Sequence, residues 1–177
     1  MDGEEEQGVS PSKWGRSMWR MLHGLALLVR TRPDREQTDL MYVLLHTLPL
    51  LLPCRMCREN MRRHMGKLPI PARRAGEVES AESVRVWLHD MHNAVNVLCG
   101  KRPVAWNAGM HEELAALLRT HRGLLVRHVV DAWKRATEHV RACVLERNRF
   151  SDAQCAEINK AWSMYRVSVP RLLTLVR

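Results

Sequence analysis

The stretch Pro53-Cys54-Arg55-Met56-Cys57-Arg58 holds the residues with the plainest chemistry in this 177-residue chain. Two thiols three residues apart on the first turn of a helix lie close enough to bridge. A helix N-terminus carries partial positive charge and unpaired N–H groups, which favour a thiolate; Arg55 and Arg58 stand beside it. The thiolate is the attacking form in thiol–disulfide exchange and also the metal-binding form. By itself the motif leaves three readings open: a redox pair, half of a zinc site, or two inert thiols. Zinc needs two further ligands. No second Cys-x-x-Cys exists, and with His64 as a third ligand the fourth would have to be remote.

Two other stretches combine residue types suited to a flat, charged ligand. In Trp14-Gly15-Arg16-Ser17-Met18-Trp19-Arg20-Met21-Leu22-His23, the steps of three and four put Arg16, Trp19 and His23 on one helix stripe. A guanidinium, an indole and an imidazole together can pair a phosphate and stack on a ring. The plain alternative is an amphipathic helix with buried tryptophans. In the segment Trp87 to Asn96, His89, His92, Asn93 and Asn96 form a polar stripe, followed by Lys101 and Arg102 just past the helix end. A buried polar stripe must find partners, which a purine and ribose would provide. The plain alternative is a solvated face.

The elements that carry these residues read as helices throughout. Strand signals are nearly absent, with two Tyr and one Phe, whereas apolar residues recur at helical spacing. Helices are expected over about Pro11 to Arg30, capped by Ser10, and over Arg35 to Leu48. Pro49 and Pro53 bracket a break before a helix from Cys54 to near Gly66. A loop covers 67–79, and a fourth helix spans Ser80 to Gly100. Trp14, Met18, Met21, Leu22, Leu25 and Val29 make the first core stripe. Val84, Trp87, Leu88, Met91, Val95 and Leu98 make that of the fourth helix. Four such helices with short links suggest a bundle. Beyond 108, helices are expected over Met110 to Arg122, Leu124 to Arg147 and Asp152 to Tyr165, before Pro170. The fold class is therefore all-α: a four-helix bundle with an additional helical C-terminal segment.

Composition narrows the partners. The net charge is +9, but arginines are scattered along the helices without a dense run, which argues against specific nucleic-acid binding. No run of about 18 apolar residues occurs, so no membrane span is expected. The acidic start Met1-Asp2-Gly3-Glu4-Glu5-Glu6 resembles neither a secretory signal nor a transit peptide. This reads as a disordered segment over 1–11 of a protein that stays in the cytoplasm. Five cysteines, an odd number, argue against a plain disulfide framework. Cys99 reads as a lone buried or semi-buried thiol. Cys143 and Cys155 lie six residues either side of Arg149, so they could bridge a helical hairpin.

The three stretches, in this order, resemble the Erv/ALR family of FAD-dependent sulfhydryl oxidases, over about residues 12–107. That family shows W-G-R-x-x-W-x-x-x-H, then P-C-x-x-C, then W-x-C-x-x-H-N-x-V-N with a Lys-Pro shortly after. The resemblance implies an FAD-binding four-helix domain over 12–107, followed by a helical extension over 108–177. It implies that Gly15, Arg16, Trp19 and His23 contact the flavin nucleotide from the first helix. His92, Asn93, Asn96 and Lys101 would hold adenine, ribose and phosphates, with Trp87 and His64 helping to line the site. Cys57 would be the thiol next to the isoalloxazine and Cys54 the outer sulfur that exchanges with substrate thiols. The implied partners are thiol-containing protein substrates, O2 as acceptor with H2O2 as product, and a second copy in a homodimer. Relatives in large DNA viruses make host cytoplasm or virion the expected setting. The alternative reading is a zinc- or partner-binding helical module. Leu52 stands where many relatives have an aromatic residue, and Arg102 separates Lys101 from Pro103. The family's structural disulfide falls on His89 and Trp106, so no such bridge is expected.

Overall fold

A computed structural model of the protein describes residues 9–30, 33–74, 77–145 and 150–176. The expected acidic segment lies outside the described residues up to residue 8; Pro11 already belongs to the first helix. Six helices follow in order: α1 (Pro11–Leu28), α2 (Arg35–Leu51), α3 (Arg55–Lys67), α4 (Ala81–Leu98), α5 (Gly109–Leu145) and α6 (Asp152–Leu175). The loop expected at 67–79 contains a short antiparallel ribbon, β1 (Ala72–Arg74) with β2 (Glu77–Val78), whose register pairs Ala72 with Val78. The ribbon sits where Val78 reaches the core, so packing rather than strand propensity holds it.

Local signals explain most helix boundaries. Asp34 caps α2 by accepting from the Gln37 N–H at 2.8 Å. Ser80 opens α4 in a reciprocal capping box with Ser83, and Ser151 opens α6 with Gln154 in the same way. Ser10 precedes α1, but its hydroxyl bonds Ser12 and caps nothing, so Pro11 at the first turn carries that start. α4 stops at Gly100, whose φ of +70° is the left-handed conformation that glycine tolerates.

Two expected stops are absent. Pro49 lies inside α2, which continues to Leu51, and Pro170 lies inside α6, which continues to Leu175. A proline ring deletes one helical hydrogen bond. Both helices offset this through buried neighbours, Leu45, Leu48 and Leu51 in the first and Val169, Leu172 and Leu173 in the second. α5 is two helical segments meeting at His121, whose φ of −156° and ψ of 81° are not helical; its Nδ1 accepts from the Leu124 N–H.

The helices share one core. α1 lies chiefly against α5 and α4, and α2 against α6 and α3. Met21, Leu25, Leu44, Leu88, Leu125, Val129, Tyr165 and Leu172 all belong to the same buried cluster. Each buried Leu contributes about 1.5–3 kcal/mol. The C-terminal helices therefore complete the core of the first four. Tyr165, fully buried on α6, bonds Thr137 on α5 and touches the Met21 sulfur on α1.

α1 packs tightly on α5 at Gly24, where a Cβ would meet Val129 Cγ2 at 2.3 Å. Gly24→Ala tests this contact. Helix propensity alone would give about 1 kcal/mol of stabilisation. Overpacking against a stiff, fully buried valine costs about 1–3 kcal/mol. The expected outcome is a lower melting temperature by calorimetry or circular dichroism; a raised one would contradict the packing described.

Candidate active site

Cys54 and Cys57 are joined by a disulfide, with Cα atoms 5.1 Å apart. Cys54 is the N-cap of α3, and its sulfur accepts from the Cys57 backbone N–H at 3.2 Å. The helix start thus aims a donor at this sulfur, which favours Cys54 as a thiolate. The arginines contribute less directly than their sequence position implied. Arg55 pairs with Glu59 at 3.2 Å, while Arg58 donates to the Leu52 carbonyl at 2.8 Å and lies over the Phe150 ring. Cys54 is 6% exposed and Cys57 half-buried, the reverse of an outer Cys54 and an inner Cys57. Both sulfurs line one cavity, so a flat ring seated there would cover Cys57.

That cavity has two lobes. The apolar lobe, about 330 Å³, is walled by Trp14, Met18 and Leu22 of α1, Cys54, Cys57 and Met61 around α3, and Leu98 of α4. The polar lobe, about 670 Å³, is walled by Arg16, His92, Asn96 and Lys101. Gly15, Trp19, Val95 and Cys99 border both lobes, so the two form one elongated space. Volumes of this size suit small-molecule and cofactor clefts, about 300–1,000 Å³. Gly15 exposes bare backbone there: a Cβ would meet nothing within 4 Å. Glu113 also borders the polar lobe but is paired with Arg20. Among the described residues, Arg16 and Lys101 have no ion-pair partner, so the lobe is cationic.

Trp19 and His92 stack face to face, ring centroids 4.1 Å apart and planes 9° apart. His23 lies behind them, 3% exposed, with Nε2 3.2 Å from His92 Nδ1. It supports His92 and borders neither lobe. Gly100 turns the chain so that the Lys101 N–H returns to the Asn96 carbonyl at 2.8 Å, which seats Lys101 at the cavity.

The polar stripe of α4 divides in two. His92 and Asn96 face the polar lobe. Asn93 instead exchanges two 2.9 Å hydrogen bonds with the backbone of Val104, and His89 Nε2 stands 2.9 Å from the same carbonyl. His89 meets the Trp106 ring edge-on, centroids 5.2 Å apart. The two positions expected to lack a bridge are thus joined by an aromatic contact. Trp87 is buried and donates to the Leu68 carbonyl at 2.8 Å, an anchor for the chain leaving α3. His64, half-buried on α3, borders neither lobe; desolvation, then Lys67 and Arg63, lower its pKa. Cys99, expected to be at least partly buried, is exposed and borders both lobes. Leu98, expected in the core stripe of the fourth helix, instead rims the apolar lobe at 51% exposure, as does Met56 at 53%. The side chain of Cys143 lies outside the described residues, and with it the pairing to Cys155.

Burial pushes the His23 pKa down to about 3, aided by His92, His111 and His89. Burial, then Lys101 and His89, push that of His92 to about 4. Both imidazoles are neutral at pH 7, so one ring donates its N–H to a lone pair of the other. Unfolded, each titrates near 6.5, so below that pH the unfolded chain binds protons that the folded chain refuses. Stability is fully present above pH 6.5 and falls as pH drops towards 4. The melting temperature should decline across this window, and less steeply in His92→Asn; equal slopes would contradict the assignment.

The fold and site define an all-α protein with a redox-capable disulfide on the wall of a two-lobed, nucleotide-sized cavity. The sequence model of the Erv1 / Alr family matches residues 16–114, more than half of the chain, and the chain belongs to that family. It is 32% identical over 99 residues to a probable FAD-linked sulfhydryl oxidase of Acanthamoeba polyphaga mimivirus, covering 55% of this chain and 66% of that one. It is 34% identical over 87 residues to the mitochondrial FAD-linked sulfhydryl oxidase of Schizosaccharomyces pombe, covering 49% and 46%. It is 25% identical over 97 residues to a putative FAD-linked sulfhydryl oxidase of Invertebrate iridescent virus 3, covering 55% and 63%. The chain spans about half to two thirds of the length of the curated relatives it matches.

Proposed function

We propose that the protein is an FAD-linked sulfhydryl oxidase that makes disulfides in substrate proteins through Cys54 and Cys57. The observation that carries this reading is the continuity of the cavity: its apolar lobe is walled by the Cys54–Cys57 disulfide and its other lobe by Arg16, His92, Asn96 and Lys101. The residues present fit FAD. The apolar lobe suits a tricyclic ring, the bare backbone at Gly15 leaves it room, and two unpaired cations suit a pyrophosphate. In this reading Trp19 and His92 offer an aromatic face, Asn96 a hydrogen-bonding amide, and His23 holds His92 from behind. Asn93 and Trp87 position the site by pinning Val104 and Leu68.

The steps at the protein's own atoms balance. A substrate thiolate attacks Cys54 Sγ; the Cys54–Cys57 bond breaks and Cys57 leaves as a thiolate. The second substrate thiolate then attacks its own sulfur in the mixed disulfide and expels Cys54. That leaving thiolate is stabilised by the Cys57 N–H and the start of α3. The substrate loses two electrons and two protons, and the pair gains the electrons. FAD held between the apolar lobe and Arg16 and Lys101 would supply a two-electron acceptor beside Cys57, with O2 as the final oxidant and H2O2 as the product.

Residues 12–107 are taken as the oxidase unit and 108–177 as the extension that closes its core. A homodimer and a host-cytoplasmic or virion setting belong to the same reading; two viral relatives support the setting. No helix among the described residues is long and apolar enough to cross a membrane. The zinc alternative has little to stand on: the two sulfurs are bonded to each other, and the described residues contain no cluster of three metal-ligating side chains. Oxygen uptake with dithiothreitol tests the oxidase. Catalytic consumption of O2 by yellow protein is expected; colourless protein without uptake would overturn the reading.

A further inference from the structure

The polar lobe has a third wall. α1 and α4 supply Arg16, His92, Asn96 and Lys101, and the start of α5 supplies Met110 and Glu113, three residues apart on one helix face. This stretch lies in the extension beyond residue 107. Contacts from two other helices hold it. Gly109, at φ +64°, begins α5 so close to Val104 that a Cβ would meet Val104 Cγ1 at 2.9 Å. Asn93 of α4 in turn pins the backbone of Val104. From α1, Arg20 donates to Glu113 Oε1, with its own side chain only 18% exposed. Glu113 Oε2 has no hydrogen-bond or ion-pair partner among the described residues.

We propose that Glu113 selects the adenosine half of FAD by accepting from its ribose hydroxyls; the proposal rests on the FAD reading of the cavity. A carboxylate repels the phosphates that Arg16 and Lys101 suit, so its place on this wall calls for a donor on the ligand. Ionised, it can only accept hydrogen bonds. The donors in the adenosine half are the ribose hydroxyls and the adenine amino group. The vicinal hydroxyls offer two donors to one free oxygen, and carboxylates take ribose hydroxyls in dinucleotide sites of another fold. Arg20 occupies Oε1 and offsets part of the charge, which leaves Oε2 as a preset acceptor. FMN has the ring, the ribityl chain and a phosphate but no adenosine, so Glu113 gives it nothing. The extension thereby sets cofactor choice as well as closing the core.

The test is a fluorescence titration of the full-length chain, freed of flavin, with FAD and with FMN. Glu113→Gln keeps the size of the side chain and an oxygen for Arg20. It should weaken FAD binding about three- to tenfold, the difference between a charge-assisted and a neutral hydrogen bond, and should not weaken FMN. Coulomb repulsion alone predicts the opposite sign for FAD, because the variant takes a negative charge away from the phosphates. FAD binding that is unchanged or tighter in the variant would overturn the proposal. So would equal weakening of FAD and FMN, the mark of a merely structural role. The FAD analogue with hypoxanthine in place of adenine lacks the amino group. It should lose as much affinity as FAD; an analogue insensitive to the substitution would overturn the ribose assignment in favour of the amino group. A parent that binds no FAD would overturn the cofactor reading together with this proposal.

Discussion

Cys57→Ser is expected to give a folded, yellow protein that turns over dithiols at least about 10³-fold more slowly, as removal of a covalent participant commonly does. The substitution removes one sulfur atom and little else. Cys57 is half-buried, and the bond it gives to Cys54 comes from its backbone N–H, which serine retains. The start of α3 should therefore survive, and with it both cavity lobes. Cys54→Ser should also abolish turnover while keeping the helix start, because serine is a favoured N-cap residue. Oxygen uptake, visible absorbance and far-ultraviolet circular dichroism measured together separate loss of chemistry from loss of fold. Turnover within tenfold of the parent would remove the pair from the mechanism.

Gly15→Leu should separate the cavity from the fold in the other direction. Gly15 sits inside α1, and a side chain there meets no protein atom at its first carbon. A leucine in a helix interior is favoured over glycine by roughly 0.8 kcal/mol. The variant should melt at the same temperature as the parent or higher when both lack cofactor. The leucine must nevertheless occupy space where the two lobes join. Crowding of about 1–3 kcal/mol lowers FAD affinity about 5- to 150-fold. Flavin content after purification and fluorescence titration report this directly. A variant binding FAD as tightly as the parent would place the cofactor elsewhere.

The stripes that position the site were legible in the sequence because helical periodicity and burial agree. Trp14, Met18, Met21, Leu22 and Leu25 recur at three and four and are all buried. The stop at Gly100 was legible because few residues other than glycine adopt its backbone conformation. Breaks set by tertiary packing were not. Pro49 and Pro170 read as stops, and only the leucines around them in the folded core explain why they are not. The interruption of α5 was read at Gly123, but it falls at His121, where an imidazole takes over the first N–H of the next segment.

The candidate site shows the same division. The polar stripe of α4 was visible, but its split was not. His92 and Asn96 face the cavity while His89 and Asn93 hold residues 104–106, a choice fixed by where the chain returns after Gly100. Leu98 reads as core because periodicity carries the apolar stripe to the end of the helix, and Cys99 beside it as a lone buried or semi-buried thiol. Among the described residues no element covers that last turn, and both border the cavity.

The most direct test of the central claim is an anaerobic titration of the purified protein with a dithiol, followed by flavin absorbance. The account predicts that the visible band is fully bleached by two dithiols per flavin in the parent, one for the disulfide and one for the flavin, and stays unbleached in Cys57→Ser. Equal bleaching of parent and variant, or a parent without flavin, would contradict it.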